Sequence, residues 1–513
     1  MSSALRIAAR AAATLATVTL ATASLVGCAT TGGTTAGGGN LTMALTSDPK
    51  SFDPPKGTAA SDYTVARLLN DSLVRREGNT VLPGIAQSWE LTADRAVFTL
   101  RKDITCSNGK PLTPAMTAAS LNRLADPSIS ANTTAFFGAA GATVTADDAS
   151  GTVTVQLSRP WSDLLYSLAL PQAGITCSTD PGALQSGQAP GTGAYTLTSS
   201  QRGASYTFSR REDYHWGAQY ADMPQGETPK TLTANIIQSE ATIANQINTG
   251  AVDYASLTGP DADRFRGGDY TTKTAPAINF MIMFNQRPGR PGADPMFRRA
   301  VAQAIDVTAF DNAAARGQGQ PLVTIAGGTA PCVNTDAGLL VPPNPQEANK
   351  VLSGTTVKVI GTNAVAGGAG NAYVQAALEQ AGATAELTNA DNATWASDVM
   401  GGTGDWDLTV FPHLNMTNTL GNAGGLFAGA PTPQGRNAGA VDNAEFTAAM
   451  GQAMATVDTD ANCSAWAQAQ RALLEQVDVI PLTAAQVSYI FSQRAAAAAP
   501  GRFVDVSTLV LTK

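Results

Sequence analysis

Five cysteines and two histidines are the residues of this chain best suited to covalent, redox or acid–base chemistry, and their settings divide them by task. Cys28 closes the stretch Leu25-Val26-Gly27-Cys28, in which apolar and then small residues lead to a thiol. Sulfur is the atom that takes a diacylglycerol thioether, and small residues before it leave the backbone open to a signal peptidase. Two or three acyl chains hold stably at about 0.8 kcal/mol per buried CH2. Cys106, Cys177, Cys332 and Cys463 remain, an even set that suggests two disulfides in an exported chain. Of three possible pairings, Cys106–Cys177 with Cys332–Cys463 keeps each bridge within one half of the chain. No C-x-x-C occurs, and His215 and His413 stand in unrelated contexts, so no zinc site is expected.

Hydrolytic chemistry is poorly provided for. Neither G-x-S-x-G nor H-E-x-x-H occurs, and a Ser-His-Asp arrangement would have to use one of the two histidines. His215 lies in "EDYHWG", among aromatics that suit packing, and His413 lies in a segment better read as a ligand contact. The Gly-rich "GTNAVAGGAG" at 361–370 has no following lysine and neither phosphate-binding pattern, so it reads as a structural turn between strand and helix. No enzyme, cofactor or resident metal is expected.

These residues are carried on an acidic chain. Arg6 and Arg10 precede an uncharged run at 11–26, so residues 1–27 read as a secretory signal, and 28–39 as a Gly/Thr-rich lipid-anchored tether. The formal charge of −8 becomes −10 once those arginines are lost, which argues against nucleic acid and against direct binding to anionic membrane. The membrane contact expected is through the N-terminal lipid alone, with a monomer held outside the cytoplasm at the cell envelope. No later run of 18 uncharged apolar residues appears, and the 486 residues after the signal suffice for more than one lobe.

The elements alternate. The segment 41–55 is a strand leading to a Pro-rich turn, followed by a helix over 61–74 and a β-meander over 82–114. Hairpins follow at 140–161 and 191–217; then strand "TLTANIIQ", a capped helix and another strand. An apolar strand at 278–289 precedes a helix over 296–310, and 355–387 reads as a βαβ unit. "DWDLTVFPHLNM" at 405–416 is a strand running into a loop, and a helix over 463–477 precedes "DVIPLTAAQVSYIFS". Strands alternating with helices, plus hairpins, predict α/β lobes.

In this order the segments resemble extracellular solute-binding protein family 5, the peptide/nickel class of lipoproteins that serve ABC importers. The likeness rests on "SFDPP", on "LPGIAQSWELTADRAVFTLRKDITCSNGKPLTP", on "GTGAYTL" with "REDYHWG", on "INTGAVDYA" and on "MFRRAVAQAID". It departs at Ala115-Met116-Thr117, where the family usually opens a helix with an acid. The resemblance implies a periplasmic-binding-protein-like fold: two α/β lobes joined by two hinge strands, one lobe carrying a β-rich subdomain. Lobe I takes 40–62, 190–275 and the return 485–513; the subdomain takes 63–189, and lobe II takes 276–484.

The function implied is a receptor that captures a small polar or peptide-like solute between the lobes and delivers it to the permease. An envelope regulatory lipoprotein on the same fold, binding a protein partner, is the alternative. Candidate ligand contacts are Asp48, Lys50, Asn285, Phe411, His413, Asn415 and Asn418. Peptide binders of the family hold the ligand's ammonium with an acid after the "DWDLTV" strand; here residues 411–418 carry none. A histidine and two asparagines suit hydrogen bonding to a neutral polar solute, and one histidine is too few for nickel.

Overall fold

The computed structural model describes residues 39–512. Cys28 and nearly all of the tether lie outside the described residues. Two long neighbouring strands, Thr271–Phe284 and Val479–Phe491, organise the rest. Both are rich in Thr, Val, Ile and Phe, which fit a pleated surface. Residues 279–284 are buried on both faces, as a strand covered on each side must be. The two strands pair antiparallel, from Thr271 opposite Phe491 to Met283 opposite Val479. Their register slips between Pro276 and Ile278 and again between Asn279 and Met281, beside a proline with no N–H for the ladder.

Each long strand has a further neighbour at opposite ends. Residues 278–284 pair with Leu408–Leu414, beyond which Thr356–Thr362 and Thr384–Ala390 continue the sheet in parallel. The helix Ala369–Gln380 connects those last two, giving the expected βαβ unit. Residues 488–491 pair instead with Tyr254–Leu257, followed by Asn40–Leu45, Thr231–Ile236 and the hairpin of Ser205–Arg210 with Tyr195–Gln201. Two α/β lobes thus share one sheet, joined through the two crossing strands.

A separate antiparallel sheet runs in the order Ala86–Leu91, Arg95–Leu100, Thr152–Leu157, Ala142–Asp147. Alternation buries Ala96, Phe98 and Leu100 on one face. The helix Pro114–Ala125 begins without a first-turn acid, but Thr113 Oγ1 accepts the Met116 N–H and caps it. Phe136, Phe137, Leu164 and Leu168 share one buried apolar cluster with Leu420, Phe446, Met450 and Trp466, so this β-rich region packs onto the other lobe.

The helix predicted over 296–310 is two, Pro295–Ala304 and Val307–Ala315. Asp306 accepts the N–H groups of Thr308 and Ala309, and this cap starts a second helix where periodicity alone predicted one. The "GTG" at 191–193 is a packing device. A Cβ on Gly191 would sit 2.1 Å from the Leu69 carbonyl oxygen, and one on Gly193 2.4 Å from that of Leu68. Between them Thr192 Oγ1 accepts the Asp71 N–H at 2.9 Å.

The four cysteines form Cys106–Cys177, with Cα atoms 6.1 Å apart, and Cys332–Cys463, with Cα atoms 4.7 Å apart. Among the described residues no helix is long and apolar enough to cross a membrane.

Candidate functional site

A cavity of about 790 Å³ lies where the two sheet halves meet. The helix Ala60–Leu69 contributes Tyr63 and Arg67, and the β-rich region contributes Arg76 and Tyr166. The crossing strands supply Pro276, Ile278 and Tyr489; the second lobe supplies Thr329, Pro412, Leu414 and Asn418. Arg502 and Phe503, in the segment after the last long strand, complete the wall.

Of the seven expected contacts, Asn418 lines this cavity and the other six do not. Parity decides two of them. The segment read as a loop is a strand as far as Leu414, and its side chains alternate, so Pro412 and Leu414 face the cavity while Phe411 and His413 do not. Phe411 instead packs edge-on against Trp395, at 5.0 Å between ring centroids. Burial, with Arg436 and Arg502 nearby, pushes the His413 imidazole down to about 3, so it is neutral across the physiological range.

The remaining four serve local structure. Asp48 accepts from the Tyr206 hydroxyl and lies 3.7 Å from Arg202. Lys50 is exposed, with its N–H on Asp62 at 2.7 Å. Asn285 donates to the Trp406 carbonyl at 2.9 Å, closing the strand end. Asn415 is fully buried and donates to the Thr419 carbonyl at 2.8 Å, shaping its own loop.

That loop is where the lobes meet. Arg76 donates to the Thr417 carbonyl, and Arg502 donates to the Asn415 carbonyl at 3.0 Å and to Asn418 Oδ1 at 3.2 Å. Thr419 Oγ1 donates to Asp163 of the β-rich region. Asn418 holds φ at +48°, a conformation asparagine tolerates better than most side chains. Arg76 and Arg502 were not legible as site residues. Arg502 does carry one signal, as the lone charge in the run "AAAAAPGRFV".

Asp163 makes this junction acid-sensitive. Burial raises its carboxyl to about 6, while the Thr419 hydroxyl, Arg76 and the Asn422 N–H pull it down. A raised acid takes up a proton on folding, so its contribution grows as pH falls from above 6 toward the unfolded value near 4. Between pH 7 and pH 5 the wild type should gain stability relative to Asp163→Asn, by about 1 kcal/mol. Urea midpoints of both proteins at the two pH values check this; parallel shifts would contradict it.

The model "Bacterial extracellular solute-binding proteins, family 5 Middle" matches residues 80–420. The periplasmic oligopeptide-binding protein OppA of Haemophilus influenzae is 40% identical over 88 residues, a stretch spanning 17% of this chain and 16% of that protein. Among solved structures, a substrate-binding protein from Microbacterium hydrocarbonoxydans complexed with 4-hydroxybenzoate hydrazide aligns at TM-score 0.80 and 32% identity, over 92% of this chain and 100% of that one. The binding protein AgaA of Agrobacterium tumefaciens, complexed with agropinic acid, aligns at TM-score 0.76 and 22% identity, over 93% and 99%.

Proposed function

The chain belongs to the bacterial extracellular solute-binding proteins of family 5, and from that premise we propose that it is a lipid-anchored receptor that closes on a small solute between its lobes and delivers it to the permease of an ABC importer. The observation that carries this reading is the cavity walled by both lobes and both crossing strands. A solute enclosed there touches both lobes only in the closed form, and so shifts the population toward closure by its differential affinity. The relatives named above bind an oligopeptide, an acyl hydrazide and agropinic acid, which supports a small organic solute without fixing which.

Lobe I in this reading takes 40–62, 190–275 and 485–513, lobe II takes 276–484, and 63–189 is the subdomain of lobe I. Cys28 carries the lipid, the tether leads to the body, and the receptor works as a monomer without catalysis, cofactor or nucleic acid. The absence of any acid between Phe411 and Asn418 supports a solute that brings no free ammonium.

Native mass spectrometry of protein purified from membranes and exposed to mixed cell extract reads the lipid and the solute together. Lipid mass on an N-terminal Cys28 peptide and a retained small molecule are expected, with a smaller radius of gyration in solution scattering when solute is bound. An unlipidated N-terminus at another residue removes the anchor. A radius unchanged at saturation removes the closing receptor, and a body that retains nothing favours the regulatory, partner-binding alternative.

A further inference from the structure

We propose that the solute is an uncharged molecule with an aromatic body and that the Tyr254 hydroxyl is the group that hydrogen-bonds it; this rests on the receptor reading above. Tyr254 lines the cavity and is only 7% exposed. Pairing on both sides fixes its place, opposite Met43 on one strand and Phe491 on the other, with 5.0 Å between the Tyr254 and Phe491 ring centroids. Among the described residues its hydroxyl has no hydrogen-bond partner, yet it is not one of the buried polar atoms closed off from solvent. The oxygen therefore opens onto the space that its residue lines. Burial, with Tyr489 and Asp505 nearby, holds the phenol well above its usual range, so it stays a neutral donor. A hydroxyl set this deep has given up most of its water, and a solute oxygen that accepts its proton replaces what burial removed.

Three other tyrosines and all the charged side chains of the wall are committed within the protein. Tyr166 donates to the Asn79 carbonyl at 3.1 Å, Tyr220 to Asp505 at 2.8 Å and Tyr489 to the Arg502 carbonyl at 3.0 Å. Both oxygens of each acid are taken: those of Asp505 by Arg75, Tyr220 and Ser507, those of Glu240 by Thr258 and Gly259. An incoming ammonium finds no free carboxylate there. The guanidinium groups in turn offer a carboxylate no free pair of nitrogens. Arg67 gives both terminal nitrogens away, to the Ser72 hydroxyl and the Ala169 carbonyl. Arg76 donates to the carbonyls of Gly78 and Thr417 and to Asn79 Oδ1. Arg502 donates to the Pro276 and Asn415 carbonyls and to Asn418 Oδ1, and its remaining nitrogen is shut off from solvent. A charged solute would lose its hydration here without a partner to replace it.

The walls specify the rest of the molecule. Tyr63, Tyr166, Tyr489 and Phe503 line the space with Tyr254, and Ile278 and Val487 add aliphatic surface. Leu414 lines it too and is 40% exposed, an apolar side chain left for a solute to cover. Rings of this kind hold a flat aromatic body by stacking and edge contacts. A sugar of equal size would bring a hydroxyl on nearly every carbon, and this wall would leave many of them unmatched. A space of about 790 Å³ encloses an organic molecule of drug-like size.

Thermal-shift and calorimetric titrations test this with N-benzoylphenylalaninamide, its free acid N-benzoylphenylalanine, the amine phenylalaninamide, the non-aromatic N-acetylleucinamide, and maltose. The uncharged aryl amide is expected to bind most tightly, on the order of tenfold or more above the acid and the amine. Tyr254→Phe keeps the ring and should weaken that amide roughly 3- to 10-fold, the loss of one hydrogen bond. Because the hydroxyl has no partner in the protein itself, the melting temperature of the variant without solute should be unchanged or higher, which separates a lost contact from a loosened fold. An acid or amine that binds as tightly as the aryl amide overturns the proposal, as does equally tight binding of N-acetylleucinamide or maltose, or a screen in which the aryl amide does not raise the melting temperature. Full amide affinity in Tyr254→Phe overturns the assignment of Tyr254. Closure around the charged compounds or maltose alone, read by solution scattering, would overturn the proposal while leaving the receptor reading in place.

Discussion

Replacing Arg75 with alanine is expected to cost about 3–5 kcal/mol of folding stability, because the change strands two buried carboxylates. Arg75 is 1% exposed, and the network around it joins three stretches of the chain. Its Nε reaches Asp71 at 2.6 Å and its Nη1 reaches Asp505 at 2.5 Å. Tyr214 donates to Asp71 at 2.7 Å and Tyr220 to Asp505 at 2.8 Å, completing a satisfied network. Burial alone would raise Asp505, yet Arg75 and then Arg67 hold it well below the usual carboxylate range.

A depressed acid stabilises the fold above its unfolded value near 4 and loses that contribution as pH falls toward the folded value. In the wild type this loss lies in strong acid, below the window in which Asp163 titrates. In Arg75→Ala the Asp505 carboxyl loses the partner that lowers it and rises, so part of the lost stability should return at pH 5. Denaturant midpoints at pH 7 and pH 5 give both quantities; an Arg75→Ala midpoint within error of wild type would show that the network contributes nothing net.

Removing the Cys332–Cys463 bridge as a double alanine variant is expected to cost about 4–5 kcal/mol on the chain-entropy model, since the cysteines lie 131 positions apart. The same bridge holds the segment that carries Thr329 to the cavity wall, where its Oγ1 accepts from Asn418 Nδ2 at 3.0 Å. Gln470 supports the segment as well, donating to the Cys332 carbonyl at 3.0 Å and accepting the Asn334 N–H at 2.8 Å. Solute affinity should therefore fall together with stability. Chemical denaturation of the oxidised protein and of the variant measures the first, calorimetry the second. A stability loss under about 1 kcal/mol would mean that packing and Gln470 alone hold the segment.

What the chain states openly is its elements and their order, because hydrophobic period and turn residues are local. The βαβ unit at 355–387, the hairpins and the strand entering "INFMIMF" follow from them. Local pattern cannot say how far a strand runs past a proline. The sequence reading stopped the strand Leu408–Leu414 early, and one residue of parity then separates His413 from the cavity that Leu414 faces. Asp48 was chosen for its charge near a loop; its partners Tyr206 and Arg202 stand more than 150 residues away, and no spacing rule brings them together.

The strand Val479–Phe491 sits in the middle of the large sheet, yet every other strand of that sheet precedes it in the chain. During synthesis the ribosome therefore releases two half-sheets that have no common edge until residue 491 has emerged. The edges at Thr271–Phe284 and Tyr254–Leu257 stay unpaired over that interval, the condition in which strands recruit wrong partners. Neither lobe can finish until its part of that strand arrives. The order of translation postpones the final fold, and a polypeptide that cannot complete its fold early is one that can still be threaded through a narrow pore.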